Sequence, residues 1–311
     1  MLLRISESEI GALKLLCGSG FYVRDLAGKL AVKPSFVSKL LRSLEAKGLV
    51  TYDKQGTSKL VKLSAASHAQ LFKRLYESRP DARIETWLSG RALDVLAVLA
   101  GREVGASMEL LSKECSSSKP VIYAALKSLR GAGVVSSSSK GTYLVTDHLV
   151  YEFANAFADN LQLLLQKEIP GKGYAVSVRV RKHVIVRTEA QQAPEFCTRT
   201  GVNALGESGL NVMRTSYYDY YFNLDKVRRE LSPEEGFIHA LLLTTLQQHQ
   251  DVPALGLFLK VNLDRNYINS PHAKPLKLQK LSELAKVYYV EKEMSELRSS
   301  VEFYEKMRSF E

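Results

Sequence analysis

Six residues with side chains suited to contacting a nucleic acid follow closely after Val32. Lysine and arginine can bind phosphates and guanine edges, serine can donate or accept a hydrogen bond, and an aromatic ring can contact a thymine methyl group. Their spacing predicts one solvent-exposed helix face that could bind duplex DNA. The alternatives are a merely solvated helix face and, for the aromatic residue, a place in the core or at a domain interface. The six residues are Lys33, Ser35, Phe36, Ser38, Lys39 and Arg42.

An apolar stripe in the same segment predicts how this helix is held against the rest of the protein. Pro34 suits the first helical position, and Gly48 suits the left-handed residue that ends a helix. Apolar side chains at helical spacing form the face that would be buried. These apolar residues are Val37, Leu40, Leu41 and Leu44.

Further elements are predicted on both sides of this helix. Ser6 and Glu9 form a capping box at the start of a first helix, and a second helix follows it. After Gly48, alternating residues predict two strands, with the polar tip 53–59 between them. The tip carries Lys54 and Lys59, which we expect to contact DNA beside the helix.

The segment from Tyr22 to Ser64 has a weaker second copy 85 residues later in the chain, in which Leu126 corresponds to Leu41. An internal repeat of this length indicates two small domains of the same type. In the second copy we expect Val121, Leu126 and Leu129 to lie in the core. The outward-facing candidates for DNA contact are Lys119, Tyr123, Lys127 and Lys140.

The sequence VKPSFVSKLLRSLEAKGLVTY, residues 32–52, resembles the recognition helix and wing of bacterial and archaeal regulators of the MarR and ArsR types. The resemblance covers residues 5–64 well and residues 89–147 less well. It implies that each copy is a winged helix-turn-helix that binds double-stranded DNA. One departure is Lys33, which stands where those regulators usually have a serine or threonine cap. A lysine there could lie close to a phosphate.

The charge of the chain is consistent with a polyanionic partner. The net charge is +10 and the isoelectric point is about 9.3. Residues 1–64 carry 11 Lys and Arg against 5 Asp and Glu, whereas residues 89–147 carry 7 against 5. Electrostatics therefore predicts that the first copy is the main DNA-binding module. The second copy either contacts a second half-site or serves only in packing.

The three cysteines, Cys17, Cys115 and Cys197, form no CxxC pair, and their odd number argues against a disulfide framework. We expect Cys17 and Cys115 to be small core residues. No apolar run reaches the length of a membrane span. The N-terminus lacks the basic and apolar pattern of a secretory leader. These observations predict a reduced, cytoplasmic protein without a membrane partner.

Residues beyond the second copy predict a mixture of helix and strand. A helix is predicted from Leu149 to Leu165, and strict alternation predicts a β-hairpin from Tyr174 to Thr188. We expect Arg179 and Arg181 on the open face of this hairpin. A basic hairpin either contacts a nucleic-acid backbone or protects an exposed sheet edge.

The C-terminal part also contains an aromatic run, a capped helix and a predicted helical tail over residues 276–310. Ser232 with Glu235 forms a capping box, and His239 on the following helix is expected to be a buried histidine. The aromatic run has the rings of a partner interface or a small-molecule pocket, or else is a core strand. We take as partner or ligand candidates Tyr217, Tyr218, Tyr220, Tyr221 and Phe222.

The sequence contains no nucleophile paired with a base and no metal-ligand spacing, so we expect no enzymatic activity, no cofactor and no metal. Residues 200–246 resemble the C-terminal domain of abortive-infection-type antitoxins. That resemblance implies a nucleotidyltransferase-like toxin as a protein partner. Those antitoxins have one winged helix, whereas this chain has two.

Taken together, the patterns predict an α+β protein with two tandem winged helix-turn-helix domains and a C-terminal α/β domain with a helical tail. The predicted winged helices are residues 1–64 and 89–148, a connecting helix lies in 65–88, and the partner or effector domain is 149–311. We expect a transcriptional regulator, most simply a repressor that occludes a promoter. The alternatives are an autoregulatory antitoxin, a plasmid-type replication initiator and a DNA-targeted enzyme.

Overall fold

The computed structural model describes residues 2–55, 58–101, 105–138, 141–171, 173–207 and 217–246. The chain divides into two compact units, Met1–Gln166 and Lys167–Glu311. The described residues form helices and small antiparallel sheets, which confirms the predicted α+β class. The predicted helical tail over 276–310 lies outside the described residues.

Three helices and a short sheet form the first copy of the repeat. The elements are α1 (Glu7–Leu16), β1 (Phe21–Tyr22), α2 (Val23–Leu30), α3 (Pro34–Ala46), β2 (Val50–Gln55) and β3 (Ser58–Leu63). The sheet is antiparallel in the order β1-β3-β2. The strands of the hairpin extend further toward its tip than alternation predicts, because β2 continues to Gln55 and β3 begins at Ser58.

The second copy repeats these elements at the predicted offset. Its elements are α6 (Ala92–Ala100), β4 (Ala106–Ser107), α7 (Met108–Glu114), α8 (Lys119–Gly131), β5 (Val135–Ser137) and β6 (Thr142–Val145). Helices α3 and α8 have the same length of 13 residues and begin 85 residues apart. The sheet order β4-β6-β5 also matches that of the first copy.

One core prediction for the second copy is wrong. Val121 is 44% exposed, whereas its neighbour Ile122 is completely buried. Ile122 lies four residues before the buried Leu126 and therefore on the apolar stripe of α8. Ile122 is the counterpart of Val37, and Val121 is the counterpart of Phe36.

Two helices connect the copies, α4 (Ser67–Glu77) and α5 (Ile84–Leu88), of which α4 confirms the predicted connecting helix. Helix α5 packs against both α1 and α8. The Arg4 guanidinium lies 3.2 Å from the buried Asp94 carboxylate, and the Ser128 hydroxyl donates to the Thr86 carbonyl at 3.0 Å. The first contact joins the two copies directly, and the second joins the second copy to α5, so the repeat and its connecting helices form one packed body within the first unit.

Helix α9 (His148–Gln166) ends the first unit. It packs against α4 and α6. The centre of the Phe153 ring in α9 lies 6.0 Å from the centre of the Phe72 ring in α4 and 5.9 Å from the centre of the Phe157 ring. The predicted helix is therefore present, but the predicted domain boundary at residue 149 falls inside the first unit. The two units separate after Gln166.

The second unit contains a four-stranded sheet and two helices among its described residues. The elements are β7 (Tyr174–Val180), β8 (His183–Thr188), β9 (Thr198–Arg199), α10 (Gly201–Glu207), β10 (Tyr218–Asn223) and α11 (Pro233–Leu246). The strand order is β7-β8-β10-β9, and every described pair is antiparallel. This part of the protein is thus α+β, not the α/β arrangement that we expected.

The predicted hairpin over 174–188 is confirmed, and Arg179 is half-buried on β7, but Arg181 is placed differently. Arg181 lies in the turn between the strands with φ of 58° and is only 2% exposed, so its expected place on an open face is wrong. Strand β8 is buried along its whole length because β7 and β10 flank it. Arg187 on β8 forms a buried ion pair with Asp219, at 2.6 and 2.9 Å.

Candidate nucleic-acid interface

Helix α3 is fixed by its apolar stripe and by the turn that precedes it. Ala31 adopts a left-handed conformation with φ of 53°, and Ser116 takes the same conformation with φ of 47° at the equivalent turn before α8. Pro34 occupies the first turn of α3, as its fixed φ allows. The buried face of the helix consists of Val37, Leu40, Leu41 and Leu44, as predicted.

The opposite face of α3 points to solvent. Ser38 is half-buried, and its hydroxyl donates to the Pro34 carbonyl at 3.0 Å, so this hydroxyl retains only acceptor capacity for a ligand. Phe36 is 46% exposed, which rules out its alternative place in the core of this copy. The exposed candidates are Lys33, Ser35, Phe36, Lys39 and Arg42.

The cations on this face are available for a ligand. Within the described ranges, neither Lys33, Lys39 nor Arg42 forms an ion pair. Lys33 is the N-cap of α3, and no side chain caps this helix end. A helix N-terminus carries a partial positive charge and uncapped amide groups, both of which favour an anion.

A shallow depression lies between the end of α2 and the start of α3. Its apolar lining includes Val32, Pro34 and Phe36, and its charged lining consists of Lys33 and Lys39. Val32 was not among the predicted site residues because its position before Pro34 is typical of a turn. The Val32 side chain is 37% exposed, so it adds aliphatic surface beside the cationic face of α3.

The hairpin contributes the other predicted lysines of the first copy. Lys54 and Lys59 are paired directly across β2 and β3. Lys59 Nζ lies 5.8 Å from the centre of the Tyr52 ring, a cation–π contact that keeps the ammonium group at the surface of the hairpin. The side chain of Lys54 lies outside the described part of the chain.

A buried polar cluster fixes the C-terminal end of α3. Lys47 Nζ lies 2.5 Å from the Glu9 carboxylate and 3.1 Å from the Ser43 hydroxyl. Burial raises the pKa of Glu9, but the hydrogen bonds from Lys47, Ser43 and the Ser6 amide outweigh it and bring the pKa below its ordinary value. Glu9 is therefore ionised at neutral pH, and the pair anchors α3 to α1.

The backbone at this helix end is also held by distant side chains. The Lys47 carbonyl accepts a hydrogen bond from Asn160 Nδ2 of α9 at 3.0 Å and lies 3.2 Å from His68 Nε2 of α4. Since a carbonyl only accepts, His68 carries its proton on Nε2, and burial lowers the pKa of its ring. Gly48 adopts the predicted left-handed conformation with φ of 69°.

The second copy presents a different charge arrangement on α8. Lys119 Nζ lies 3.2 Å from the Glu109 carboxylate, so its charge is already partly neutralised. Lys127 is exposed, and Tyr123 is 56% exposed. Both line a small groove with Arg130 and Tyr143, two residues that sequence analysis did not select. Lys140 lies outside the described residues.

The aromatic run of the second unit is mostly a core strand, which confirms that interpretation and makes its selection as a contact surface wrong for three residues. Tyr220, Tyr221 and Phe222 are at most 3% exposed, because β10 lies between β8 and β9. These three residues therefore do not line an exposed contact surface. Tyr217 is exposed and Tyr218 is half-exposed, with the Arg199 guanidinium 5.9 Å from the Tyr218 ring. Only these two remain candidates for partner contact.

Buried histidines support the core of the second unit. His183 Nδ1 lies 2.7 Å from the Tyr221 hydroxyl, and the Tyr221 ring stacks on His239 at 5.3 Å. His239 Nδ1 lies 2.7 Å from the Thr200 hydroxyl. Burial lowers the pKa of His239 to about 3, so this histidine is neutral at physiological pH. The predicted buried histidine is confirmed.

Cys17 and Cys115 are buried, as predicted, and Cys197 is buried too. Burial raises the pKa of both Cys17 and Cys197 to about 12. In the part of the chain that the structure describes, no group of three or more His, Cys, Asp or Glu residues could hold a metal ion. No helix of the described residues combines the length and apolarity needed to cross a bilayer.

Comparisons with known proteins assign no family to this arrangement. A scan against models of protein families gives no match, and a search of curated proteins also gives none.

Proposed function

We propose that this protein binds double-stranded DNA through two tandem winged helix-turn-helix domains and acts as a transcriptional regulator. The observation that carries the proposal is the two-sided character of α3. One side is buried in the domain core, and the other exposes Lys33, Lys39 and Arg42 without a carboxylate partner among the described residues. Three solvated cations on one exposed helix face suit the major groove and its flanking phosphates.

The N-terminal end of α3 supports the same proposal. Pro34 has no amide hydrogen, and the Phe36 amide donates to the Lys33 carbonyl at 3.0 Å. A DNA phosphate could therefore accept hydrogen bonds from the Ser35 amide and from the Lys33 ammonium group together. The hairpin of β2 and β3 brings Lys59 to the adjacent surface, where a wing contacts the DNA backbone or minor groove in this class of domain.

The second copy is assigned a weaker role in DNA binding. Lys119 is paired with Glu109. The hairpin of the second copy, from Val135 to its partner Val145, is three residues shorter than the hairpin of the first copy, from Val50 to its partner Leu63. The contacts between Arg4 and Asp94 and across α5 hold both copies in one unit. The first copy therefore supplies most of the affinity, and the second supplies auxiliary contacts.

The regulatory part of the proposal rests on the presence of a second unit. A separate sheet with Tyr217 and Tyr218 at its surface provides a place for a partner or effector, while the first unit binds DNA. Repression by occlusion of a promoter is the simplest mode, because it needs no contact with RNA polymerase. A reduced, cytoplasmic location follows from this role, and the proposal assigns no catalytic step to either unit.

Single substitutions on α3 test the proposal. A preferred duplex is first selected from a random pool with the full-length chain, and its affinity is then measured for Lys39→Ala and Arg42→Ala. If the side chain binds a guanine edge, its loss costs about 1–3 kcal/mol and relaxes specificity at one base pair. If it binds a phosphate, all sequences weaken alike and the salt slope falls by about one.

The matched controls are Arg74→Ala on α4 and Arg83→Ala at the start of α5, which remove exposed arginines elsewhere in the same unit. Both should bind the selected duplex like the wild type. Failure of the wild type to select any duplex, or unchanged affinity in both α3 variants, would refute the proposal.

A further inference from the structure

Both repeats expose an apolar side chain at the same position of the third helix. Phe36 is 46% exposed on α3, and Val121, its counterpart on α8, is 44% exposed. The neighbouring residues Val37 and Ile122 are completely buried and fill the core at this level. Neither exposed side chain is therefore needed to complete the core, and exposure of an apolar group to water is unfavourable by itself.

Phe36 also belongs to a site of mixed character. It lines the shallow depression between α2 and α3 together with Val32 and Pro34, and Lys33 and Lys39 line the same depression. The apolar part of this depression suits an apolar ligand group, and its two ammonium groups suit the negative charges of a polyanion that carries such a group. Duplex DNA presents one such group in its major groove, the 5-methyl group of a pyrimidine.

The geometry points to this depression as a binding site for the 5-methyl group of a thymine, with Phe36 as the residue that senses it. This inference rests on the proposed function and extends it from general DNA binding to one chemical feature of the site. Lys33 and Lys39 would bind the phosphates on either side, and Phe36 with Val32 would exclude water from the methyl group. In naturally modified DNA, 5-methylcytosine carries the same methyl group in the groove.

Uracil substitution isolates the methyl group without changing base pairing. The full-length chain is bound to the duplex selected above, in which each thymine is replaced singly by uracil. We expect about a fourfold loss of affinity at one or two positions, which corresponds to about 0.8 kcal/mol for one buried methyl group. Phe36→Ala should weaken binding to the thymine duplex and show no difference between thymine and uracil at those positions.

Two matched variants separate the inference from a general loss of structure. Phe36→Leu keeps an apolar side chain and should keep the discrimination, whereas Val121→Ala alters the equivalent position of the other copy and should leave this discrimination unchanged. A further arm replaces the sensitive thymine pair by a cytosine or 5-methylcytosine pair with guanine. If the duplex with 5-methylcytosine binds more tightly than the duplex with cytosine, methylated DNA is a second source of the recognised methyl group. If the two bind equally, thymine is the source of that methyl group.

The outcomes distinguish this inference from the proposal beneath it. Specific binding without any position sensitive to uracil, or sensitivity that persists in Phe36→Ala, would overturn the methyl site and leave DNA binding in place. Absence of any selected duplex would overturn both.

Discussion

Lys47 and Glu9 form a buried ion pair with 2.5 Å between Nζ and the carboxylate, although 38 residues separate them in the chain. The pair joins the C-terminal end of α3 to the first turn of α1. Lys62 and Asp53 on the hairpin lie at the same distance, 2.5 Å, but both side chains are about half exposed. The two pairs have the same separation but differ in burial and in the number of further hydrogen bonds around the carboxylate.

Loss of one partner from the buried pair should destabilise the first unit strongly. Glu9→Gln leaves the Lys47 ammonium buried without a countercharge, which costs about 3–5 kcal/mol. Asp53→Asn, the exposed control, should change the free energy of unfolding by about 0–1 kcal/mol. Chemical denaturation of the full-length chain measures both, and equal effects would show that burial does not decide the strength of these pairs.

The same pair makes an acid-sensitive contribution to stability. The pKa of Glu9 in the folded state lies below its ordinary value of 4.5. Its stabilising contribution is therefore present above that pH and is lost as the pH falls through the lower, folded-state pKa. Stability measured along an acid titration should fall less steeply in Glu9→Gln than in the wild type. Parallel acid curves would contradict this assignment.

Gly48 and Gly133 allow a second matched comparison at the ends of α3 and α8. Both glycines are left-handed, with φ of 69° and 70°, so an alanine at either position costs about 1–2 kcal/mol. A Cβ atom at Gly48 would also lie 2.8 Å from Asn160 Nδ2, whereas a Cβ at Gly133 meets nothing within 4 Å. Gly48→Ala should therefore destabilise the protein more than Gly133→Ala.

A double variant identifies the cause of that difference. Asn160→Ala removes the crowded side chain together with its hydrogen bond to the Lys47 carbonyl. Adding Gly48→Ala to this background should cost no more than Gly133→Ala does alone. Thermal unfolding measures these costs. If Gly48→Ala costs as much in the Asn160→Ala background as in the wild type, the larger cost at Gly48 comes from backbone strain and not from contact with Asn160.

Sequence periodicity predicted the elements of the first unit because its helices are amphipathic and short-range caps mark their ends. The Ser6–Glu9 capping box and the left-handed Gly48 both depend on neighbours within a few residues, and both are present. Val121 was expected in the core, although the sequence itself favours its neighbour. Ile122 lies four residues before Leu126 and corresponds to Val37 at the offset of the repeat, so helical spacing and the alignment of the copies both indicate Ile122.

Long-range contacts explain the remaining differences from the predictions. Alternation predicted the hairpin that contains β8, and a core strand was one alternative for the aromatic run that forms β10, but neither pattern indicates whether a strand lies at the edge or the centre of a sheet. Tyr221 was therefore selected for a contact surface although it lies on a central strand, and Arg181 was expected on an open face although it lies in the buried turn between β7 and β8. The hydrogen bond from Asn160 to Lys47 spans 113 residues, and no local pattern marks it.

Two tyrosines of the aromatic run should respond differently to substitution. Tyr221→Ala removes a buried ring that stacks on His239 and contacts His183, and loss of a large core ring costs about 3–5 kcal/mol. Tyr217→Ala alters an exposed residue and should change the free energy of unfolding by about 0.5 kcal/mol or less. Denaturant titration of the two variants provides the comparison, and an unchanged midpoint for Tyr221→Ala would contradict the core assignment.

The salt dependence of DNA binding by the full-length chain tests the central claim most directly. Affinity for a random duplex pool is measured over a range of salt concentrations for the wild type, for Lys39→Ala/Arg42→Ala on α3 and for Lys119→Ala/Lys127→Ala on α8. We expect the wild-type affinity to fall linearly on logarithmic axes, the α3 variant to lose about two units of slope, and the α8 variant less than one. A salt-independent wild type, or an equal loss of slope in both variants, would contradict the assignment of α3 as the principal DNA-binding helix.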